Sequence, residues 1–291
     1  MEPTRDIHIA AVQRAEGDPL LVEAAALRAS PRYGDAVQAY AAGLVRFRES
    51  SRLINKLSAH ETRTRTVGYL LHLSALSRTQ GGDGGVGYSE LHDLCVARRG
   101  EVSPRVLKTM LSLLSFMGFV EASRNPADRR IKIYRPTPRM LDFAKQWFLH
   151  AAEALDALDP ELERVRRLAN DPAFLSRLLV DAGRDHAEGP PAERMPEFVD
   201  FFGRREGAAA IFARLLIGEF GHRPVESRAA LARQFGLSKT QVSDVIADGV
   251  ALGYLDLGDG TMPALTETIR DIWWRWISIE LAFYARHMRV E

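Results

Sequence analysis

The sequence predicts a mainly α-helical protein in which two copies of one unit, a pair of helices followed by a β-hairpin, share a helical scaffold. Three observations lead to this prediction. Apolar residues recur at intervals of three and four along most of the chain, which is the period of an amphipathic helix. Clusters rich in Gly and Pro interrupt that pattern at intervals. A stretch in the first half of the chain also resembles a stretch in the second half.

The composition is that of a globular chain long enough for two domains. Of its 291 residues, 46% are hydrophobic and 26% are charged, which suits a protein with a buried core. A net charge of +1 argues neither for nor against nucleic acid as a partner. The single cysteine, Cys95, excludes an internal disulfide and a multi-cysteine zinc site. We see neither a signal peptide nor a run of roughly 18 apolar residues, and therefore expect a cytoplasmic protein without a membrane partner.

Periodicity and breaks divide the chain into four parts. We predict an N-terminal helical, dimerisation-like region over residues 1–61, a first helix and hairpin unit over 62–150, a helical connector over 151–205 and a second unit over 206–291. Helices are expected over about 35–60 and about 64–78. The clearest breaks are "GGDGGVG" from Gly81, the Asp-Pro pairs at Asp159 and Asp171, and "EGPPAER" near Pro190.

An internal repeat relates the two units. "VSPRVLKTMLSLLSFMGFV" (102–120) aligns with "LSKTQVSDVIADGVALGYL" (237–255) at an offset of 135, which pairs Ser103 with Ser238 and Gly118 with Gly253. Beyond a shorter hairpin the offset becomes 129, which pairs Thr137 with Thr266. The shared order of helix, Gly-aromatic pair, hairpin, Thr and amphipathic helix makes coincidence a poor explanation.

The second copy contains a helix-turn-helix pattern in "ALARQFGLSKTQVSDVI" (230–246). Ala232 is small where two helices cross, and Gly236 can adopt a left-handed turn. Ser238 is placed to cap the second helix. Four apolar residues fill the wedge between the helices, namely Leu231, Leu237, Val242 and Val245.

The first copy is a weaker match, "VARRGEVSPRVLKTM" (96–110). It has Glu101 where the second copy has its turn glycine. Ser103 is the expected cap, and Pro104 stands in the first helical turn, where a missing amide is tolerated. The matching apolar or small positions are Ala97, Val102, Leu107 and Met110.

A basic hairpin follows the first helix-turn-helix at once, and this order is the layout of a winged helix. The stretch over about 64–148 resembles the MarR family of bacterial transcription regulators. The hairpin of that family contains an Asp and an Arg two positions apart and ends in Leu-Thr-Pro. This pattern is matched by Asp128, Arg130, Thr137 and Pro138 in "DRRIKIYRPTP". Pro136 replaces the usual Leu, and Met140 stands where Gly is common in the family.

The resemblance implies a sequence-specific regulator that binds double-stranded DNA. Arg130 would enter the minor groove, and Asp128 would orient it through an ion pair. The chemistry of the hairpin supports this role for Arg130, because an arginine at a narrow hairpin tip suits the negative potential of a minor groove. The predicted DNA contacts are Ser103, Arg105, Lys108, Thr109 and Ser112 on the second helix, and Arg124, Arg129, Arg130, Lys132 and Arg135 on the hairpin. The alternative for the hairpin is a solvated loop.

The second copy lacks this positive charge. No Lys or Arg lies between Lys239 and Arg270, whereas Asp244, Asp248, Asp256, Asp259 and Glu267 do. We therefore favour a copy that packs, dimerises or binds protein. If it touches DNA, the candidate residues are Ser238, Lys239, Thr240 and Gln241.

Two further expectations concern partners. Trp147, Trp273 and Trp276 lie on the helices that follow the two hairpins and are candidates for a small-molecule effector pocket, although aromatic stripes there usually serve packing. The chain could act as a homodimer or as a single-chain pseudo-dimer. No pattern predicts a metal site, a cofactor or an enzyme. The alternative function is a winged-helix protein-protein interaction or scaffold protein that does not read DNA.

Overall fold

Helices make up most of the computed structural model, which describes residues 17–50, 61–126, 128–221, 227–258 and 262–289. Within these ranges the strands form one antiparallel sheet of three strands and one of two. The prediction of a mainly α-helical protein is confirmed. None of the helices in the described ranges is long and apolar enough to cross a bilayer.

The first half of the chain begins with three helices and ends with one long helix after the hairpin. Its elements are α1 (Pro19–Arg28), α2 (Tyr33–Glu49), α3 (Glu61–Thr79), β1 (Val86–Gly87), α4 (Tyr88–His92), α5 (Pro104–Phe116), β2 (Val120–Arg124), β3 (Lys132–Pro136) and α6 (Pro138–Leu158). A π-helical turn over Asp93–Arg98 extends α4. The predicted helix over 64–78 corresponds to α3, and the one over 35–60 to α2, with residues 51–60 outside the described part.

The second half has a similar order with a shorter hairpin, one additional short helix and, among the described residues, no strand that corresponds to β1. Its elements are α7 (Arg164–Asn170), α8 (Pro172–Glu188), α9 (Pro196–Phe198) with a π-helical turn over Val199–Gly203, α10 (Ala208–Glu219), α11 (Arg228–Phe235), α12 (Lys239–Ala251), β4 (Leu255–Asp256), β5 (Ala264–Leu265) and α13 (Glu267–His287). Asp171 caps α8, with Pro172 at its first position. The Asp-Pro break at Asp171 therefore starts a helix, as its chemistry suggests.

The three-stranded sheet carries the longer hairpin. β3 lies between β1 and β2, and it pairs with both in the antiparallel sense. Val120 lies opposite Pro136 at the base of the hairpin, and Arg124 lies opposite Lys132 near its tip. In the second half, β4 and β5 pair over two positions only.

The helices of the two halves pack in a reciprocal pattern. α2 packs against α6 of its own half and α10 of the other, whereas α8 packs against α13 of its own half and α3 of the other. α1 lies on α13, α7 lies on α6, and α6 and α13 contact each other. The same set of contacts results when each helix is exchanged for its counterpart in the other half, that is α1 with α7, α2 with α8, α3 with α10 and α6 with α13. The hydrophobic core is therefore shared between the halves and joins them.

The segments that are aligned by the internal repeat also have matching local structure. Ser103 caps α5 and Ser238 caps α12, each through the third amide of its helix. Gly118 and Gly253 then adopt φ values of 71° and 70°, a region that favours glycine. The hydroxyl of Thr137 donates to the Gly118 carbonyl at 2.8 Å. The hydroxyl of Thr266 donates to the Gly253 carbonyl at the same distance.

The helix-turn-helix turn differs between the copies by one residue. In the second copy the left-handed residue is Gly236, two positions before the cap Ser238. In the first it is Gly100, three positions before the cap Ser103. The π-helical turn of α4 accompanies this longer connection, so Glu101 does not need a left-handed backbone. The direct alignment of Ala97 with buried Ala232 is corrected accordingly, because Ala97 is exposed.

The predicted boundary at residue 61/62 falls at the start of α3. The one at 150 falls inside α6, and the one at 205 falls just before α10. The residues between α6 and α10 are mainly helical.

Candidate nucleic-acid interface

Helix α5 presents one apolar and one exposed face. Four of its apolar residues are buried in the core, namely Leu107, Met110, Leu111 and Leu114. All five side chains predicted to contact DNA from this helix are exposed, namely Ser103, Arg105, Lys108, Thr109 and Ser112. The amphipathic pattern therefore places these five residues on one surface.

The start of α5 is held by local contacts. The Ser103 hydroxyl accepts a hydrogen bond from the Val106 amide at 3.3 Å, which satisfies one of the free donors of the first turn. The Lys108 ammonium lies 5.6 Å from the centre of the Tyr88 ring. Tyr88 is a neighbour that the sequence did not indicate.

The tip of the first hairpin concentrates exposed positive charge. Arg124, Arg129, Arg130 and Lys132 are all exposed. The Arg124 guanidinium donates to the Arg129 carbonyl at 2.9 Å, which ties the two sides of the tip together. None of these four side chains forms an ion pair with a residue that the structure describes. Their charge is therefore available to a negatively charged partner.

Asp128 shapes the tip through the backbone. Its carboxylate accepts a hydrogen bond from the Arg130 amide at 2.9 Å, which is the geometry of an Asx turn. The expected ion pair between the two side chains is thereby corrected, because the described contact of Asp128 is with the backbone of Arg130. The carboxylate fixes the turn and leaves the Arg130 guanidinium exposed.

Arg135 belongs to the base of the hairpin. Its guanidinium forms an ion pair with Asp83 and donates to the Ser123 hydroxyl at 2.6 Å. Asp83 lies in the loop before β1, and its pKa is lowered chiefly by the hydrogen bond from Arg135. The phosphate contact expected of Arg135 stays a prediction, and in the structure the charge of this residue is paired with Asp83. This partner lies 52 positions away, too far for local sequence patterns to indicate.

Glu101 ties the helix-turn-helix turn to the scaffold. Its side chain is only 5% exposed, and its oxygens lie 2.9 and 3.2 Å from the Arg65 guanidinium on α3. The Nε atom of Arg99 lies 3.7 Å away, and Arg99 also pairs with Glu193 in the connector. The residue that departs from the helix-turn-helix pattern is thus the centre of a charge cluster that joins α3, the turn before α5 and the connector.

The second copy offers a different surface. Ser238, Lys239 and Thr240 are exposed. Gln241 is used internally, because its side chain accepts from the Ser238 amide at 2.8 Å and donates to Glu206 at 3.2 Å. Asp248 pairs with Arg205 at 2.6 Å. Asp259, part of the predicted acidic hairpin, lies outside the described residues.

The three tryptophans named as an effector site line one cavity. Trp147 from α6 and Trp273 and Trp276 from α13 border a space of about 170 Å³ between the two halves. A neighbouring cavity of about 80 Å³ shares part of this lining, including Trp147, Arg65 and His186. Sequence spacing indicated the tryptophans, but only the packing of α6 on α13 brings them together.

Positive and titratable groups line the same cavity among the aromatic rings. Arg48 faces it, and burial lowers the pKa of its guanidinium to about 10. His150 and His186 also line it, and the pKa of each falls to about 3, first through burial and then through nearby arginines. Both imidazoles are therefore neutral near pH 7. The cavity combines apolar walls with polar side chains of both charges, including Glu280, a combination that suits a mainly apolar small molecule.

Other candidate chemistry is not supported. No group of three or more His, Cys, Asp or Glu residues suited to a metal ion occurs in the described ranges. Cys95 is buried, and burial raises the pKa of its thiol to about 12, so that the reactive thiolate is scarce at neutral pH. No protein-family model, curated protein or solved structure matches the chain.

Proposed function

We propose that this chain is a sequence-specific transcription regulator that binds double-stranded DNA through its first copy, acting as a winged helix. The observation that carries the proposal is the exposed basic tip beside the exposed face of α5. Residues 103–136 contain seven Lys or Arg and two Asp or Glu. Such a surface on a chain of near-neutral net charge favours a polyanion as its partner.

In this proposal the two parts of the surface have different roles. α5 enters the major groove, where Arg105, Lys108 and Ser112 can reach base edges or phosphates. The hairpin lies along the backbone, and Arg130 reaches the minor groove. Arg124, Arg129 and Lys132 contact phosphates, which fixes the position of the protein on the duplex. Asp128 contributes by setting the turn from which Arg130 extends.

The second copy acts as a scaffold in this proposal. Residues 238–265 contain one Lys and four Asp, which opposes phosphate binding. Its helix-turn-helix packs on α2, where Gln234 donates a hydrogen bond to Glu49. The chain would thus be a single-chain pseudo-dimer with one DNA-binding side. The interaction-protein alternative applies best to this copy.

The cavity between the halves is the proposed effector site. Its aromatic walls favour a small, mainly apolar molecule. Because α6, α10 and α13 all contribute to its lining, a ligand there would change the angle between the halves. A ligand can change this angle only if it binds one arrangement of the halves more tightly than another.

Binding to mixed genomic DNA fragments across a salt series tests the proposal. The Arg129→Ala/Arg130→Ala variant should bind more weakly, and its dependence of log K on log salt should be shallower by about 0.9 for each phosphate that the variant no longer neutralises. The matched control is Arg166→Ala/Arg184→Ala, which removes two exposed arginines from the connector. Equal binding by both variants, or no binding at low salt, would refute the proposal.

A further inference from the structure

The exposed face of α5 carries an apolar stripe beside its polar residues. Val106, Leu113 and Phe116 are 37%, 39% and 89% exposed, although each is a large hydrophobic residue. With Thr109 they recur at intervals of three, four and three, which places them along one side of a helix. The polar positions of the same helix, Arg105, Lys108 and Ser112, lie next to this stripe.

Thr109 adds a methyl group to the stripe rather than a hydrogen-bond donor. Its hydroxyl donates to the Arg105 carbonyl at 2.9 Å, so the hydroxyl proton is used within the helix. What the side chain can offer a partner is its γ-methyl group and an acceptor oxygen. The stripe is therefore mainly apolar in its chemistry from Val106 to Phe116.

The charge around the stripe indicates what covers it. α5 contains no acidic residue, and the adjoining hairpin tip exposes four basic side chains. A partner that meets the stripe must therefore present apolar groups within a negatively charged surface. The major groove of DNA does so wherever thymine is present, because the thymine 5-methyl group projects into the groove between the phosphates.

We propose, on the basis of the DNA-binding function inferred above, that Val106, Thr109 and Leu113 read thymine methyl groups in the major groove. With a helical rise of 1.5 Å, Val106 and Leu113 are separated by about 10 Å along the axis, which fits a groove about 12 Å wide. Phe116 lies about 15 Å from Val106, so it falls at the groove edge. The preferred sites therefore contain thymines at two or more positions facing α5.

The second copy shows that this stripe is not a requirement of the fold. At the repeat offset of 135 residues, the positions of Val106, Thr109 and Leu113 are occupied by Gln241, Asp244 and Asp248. All three of these side chains are polar, and the two carboxylates would be repelled by the phosphates that flank a thymine methyl group. Helices with the same caps and the same buried face thus differ on the surface that would meet bases.

The test compares thymine with uracil, which pairs identically but lacks the 5-methyl group. Duplexes enriched by the wild-type protein from a random-sequence pool are synthesised with either base at the enriched thymine positions. We expect the wild-type protein to bind the uracil form about fourfold more weakly for each contacted methyl. The Val106→Ala/Leu113→Ala variant keeps the Thr109 methyl group and should therefore show a smaller difference between the two forms than the wild-type protein does. The control Val22→Ala alters a valine that is 57% exposed on α1 and should keep the preference.

The outcomes separate this inference from the function on which it rests. Selective DNA binding with equal affinity for thymine and uracil would overturn the methyl readout and leave the regulator standing. Absence of any selective binding would overturn the regulator itself. A third outcome would identify the stripe as a protein interface and overturn the inference. In that case Phe116→Ser abolishes self-association in light scattering, and the Val106 and Leu113 changes leave the preference for thymine over uracil unaffected.

Discussion

Replacing Glu101 by Gln tests the charge cluster that joins the helix-turn-helix to the scaffold. The substitution keeps the shape of the side chain and removes its negative charge. Arg65 and Arg99 then face a neutral amide in a site where the Glu101 side chain is 5% and the Arg65 side chain 11% exposed. Because water is largely excluded there, the lost attraction is not replaced by solvation of the two guanidinium groups.

The burial of the pair sets the size of the effect. Removing one partner of a buried ion pair costs about 3–5 kcal/mol, and we expect the lower end because glutamine can still accept a hydrogen bond. At roughly 2–4 °C per kcal/mol for a chain of this size, thermal unfolding should shift down by about 6–12 °C. Circular dichroism of the wild-type and variant proteins measures this shift directly.

A double-mutant cycle provides the decisive comparison. Arg65→Met alone should also destabilise, whereas the Arg65→Met/Glu101→Gln variant should lose less than the sum of the two single effects. The control Asp200→Asn breaks an exposed pair with Arg204 and should cost less than about 0.5 kcal/mol. If Glu101→Gln and Arg65→Met each cost less than about 1 kcal/mol and their effects are additive, the cluster behaves like a surface pair and the reasoning fails.

Two further predictions concern the packing of α2 against α6. Because the folded pKa of His150 is about 3 and its unfolded value is about 6.5, its contribution to stability is complete above pH 6.5 and is lost as the pH falls towards 3. Between pH 7.5 and 5.5 the unfolding free energy of the wild-type protein should therefore fall by about 1.4 kcal/mol more than that of His150→Phe. Urea titrations at the two pH values measure both decreases, and equal decreases would contradict this. Gly43→Ala should destabilise by about 1–3 kcal/mol, because an added methyl would lie 2.8 Å from the His150 Cα. Gly218→Ala, with nothing within 4 Å, should stabilise slightly by the same urea measurement, and equal effects of the two changes would refute the packing argument.

Features set by local chemistry were predictable from the sequence. The serine caps, the Gly-aromatic turns and the threonines that close each hairpin depend on residues a few positions apart or on one hairpin, and the repeat contains each of them twice. The buried face of α5 follows from its period in the same way. The exposed basic tip was also visible, because its charges stand within one short segment.

Features set by distant contacts were not predictable. Nothing near Arg135 indicates Asp83, and the role of Glu101 depends on Arg65 from another helix. The longer turn at Gly100 depends on a π-helical turn, which has no distinct apolar period. The cavity required knowledge of how α6 and α13 approach each other, since the tryptophans alone are equally typical of packing.

The reciprocal packing of the halves explains why one copy can lose its positive surface and still be needed. α2 and α8 each bury residues against both halves, so neither half encloses its own core. Changes on the exposed face of α12 alter few buried contacts, whereas removal of the second copy would expose the apolar faces of α2, α6 and α8. Stability therefore constrains the interior of both copies, and DNA binding would constrain the surface of only one. Under these two constraints a repeated unit is expected to keep its serine caps and its Gly-aromatic turns, as this chain does, while the exposed charges of its copies become opposite.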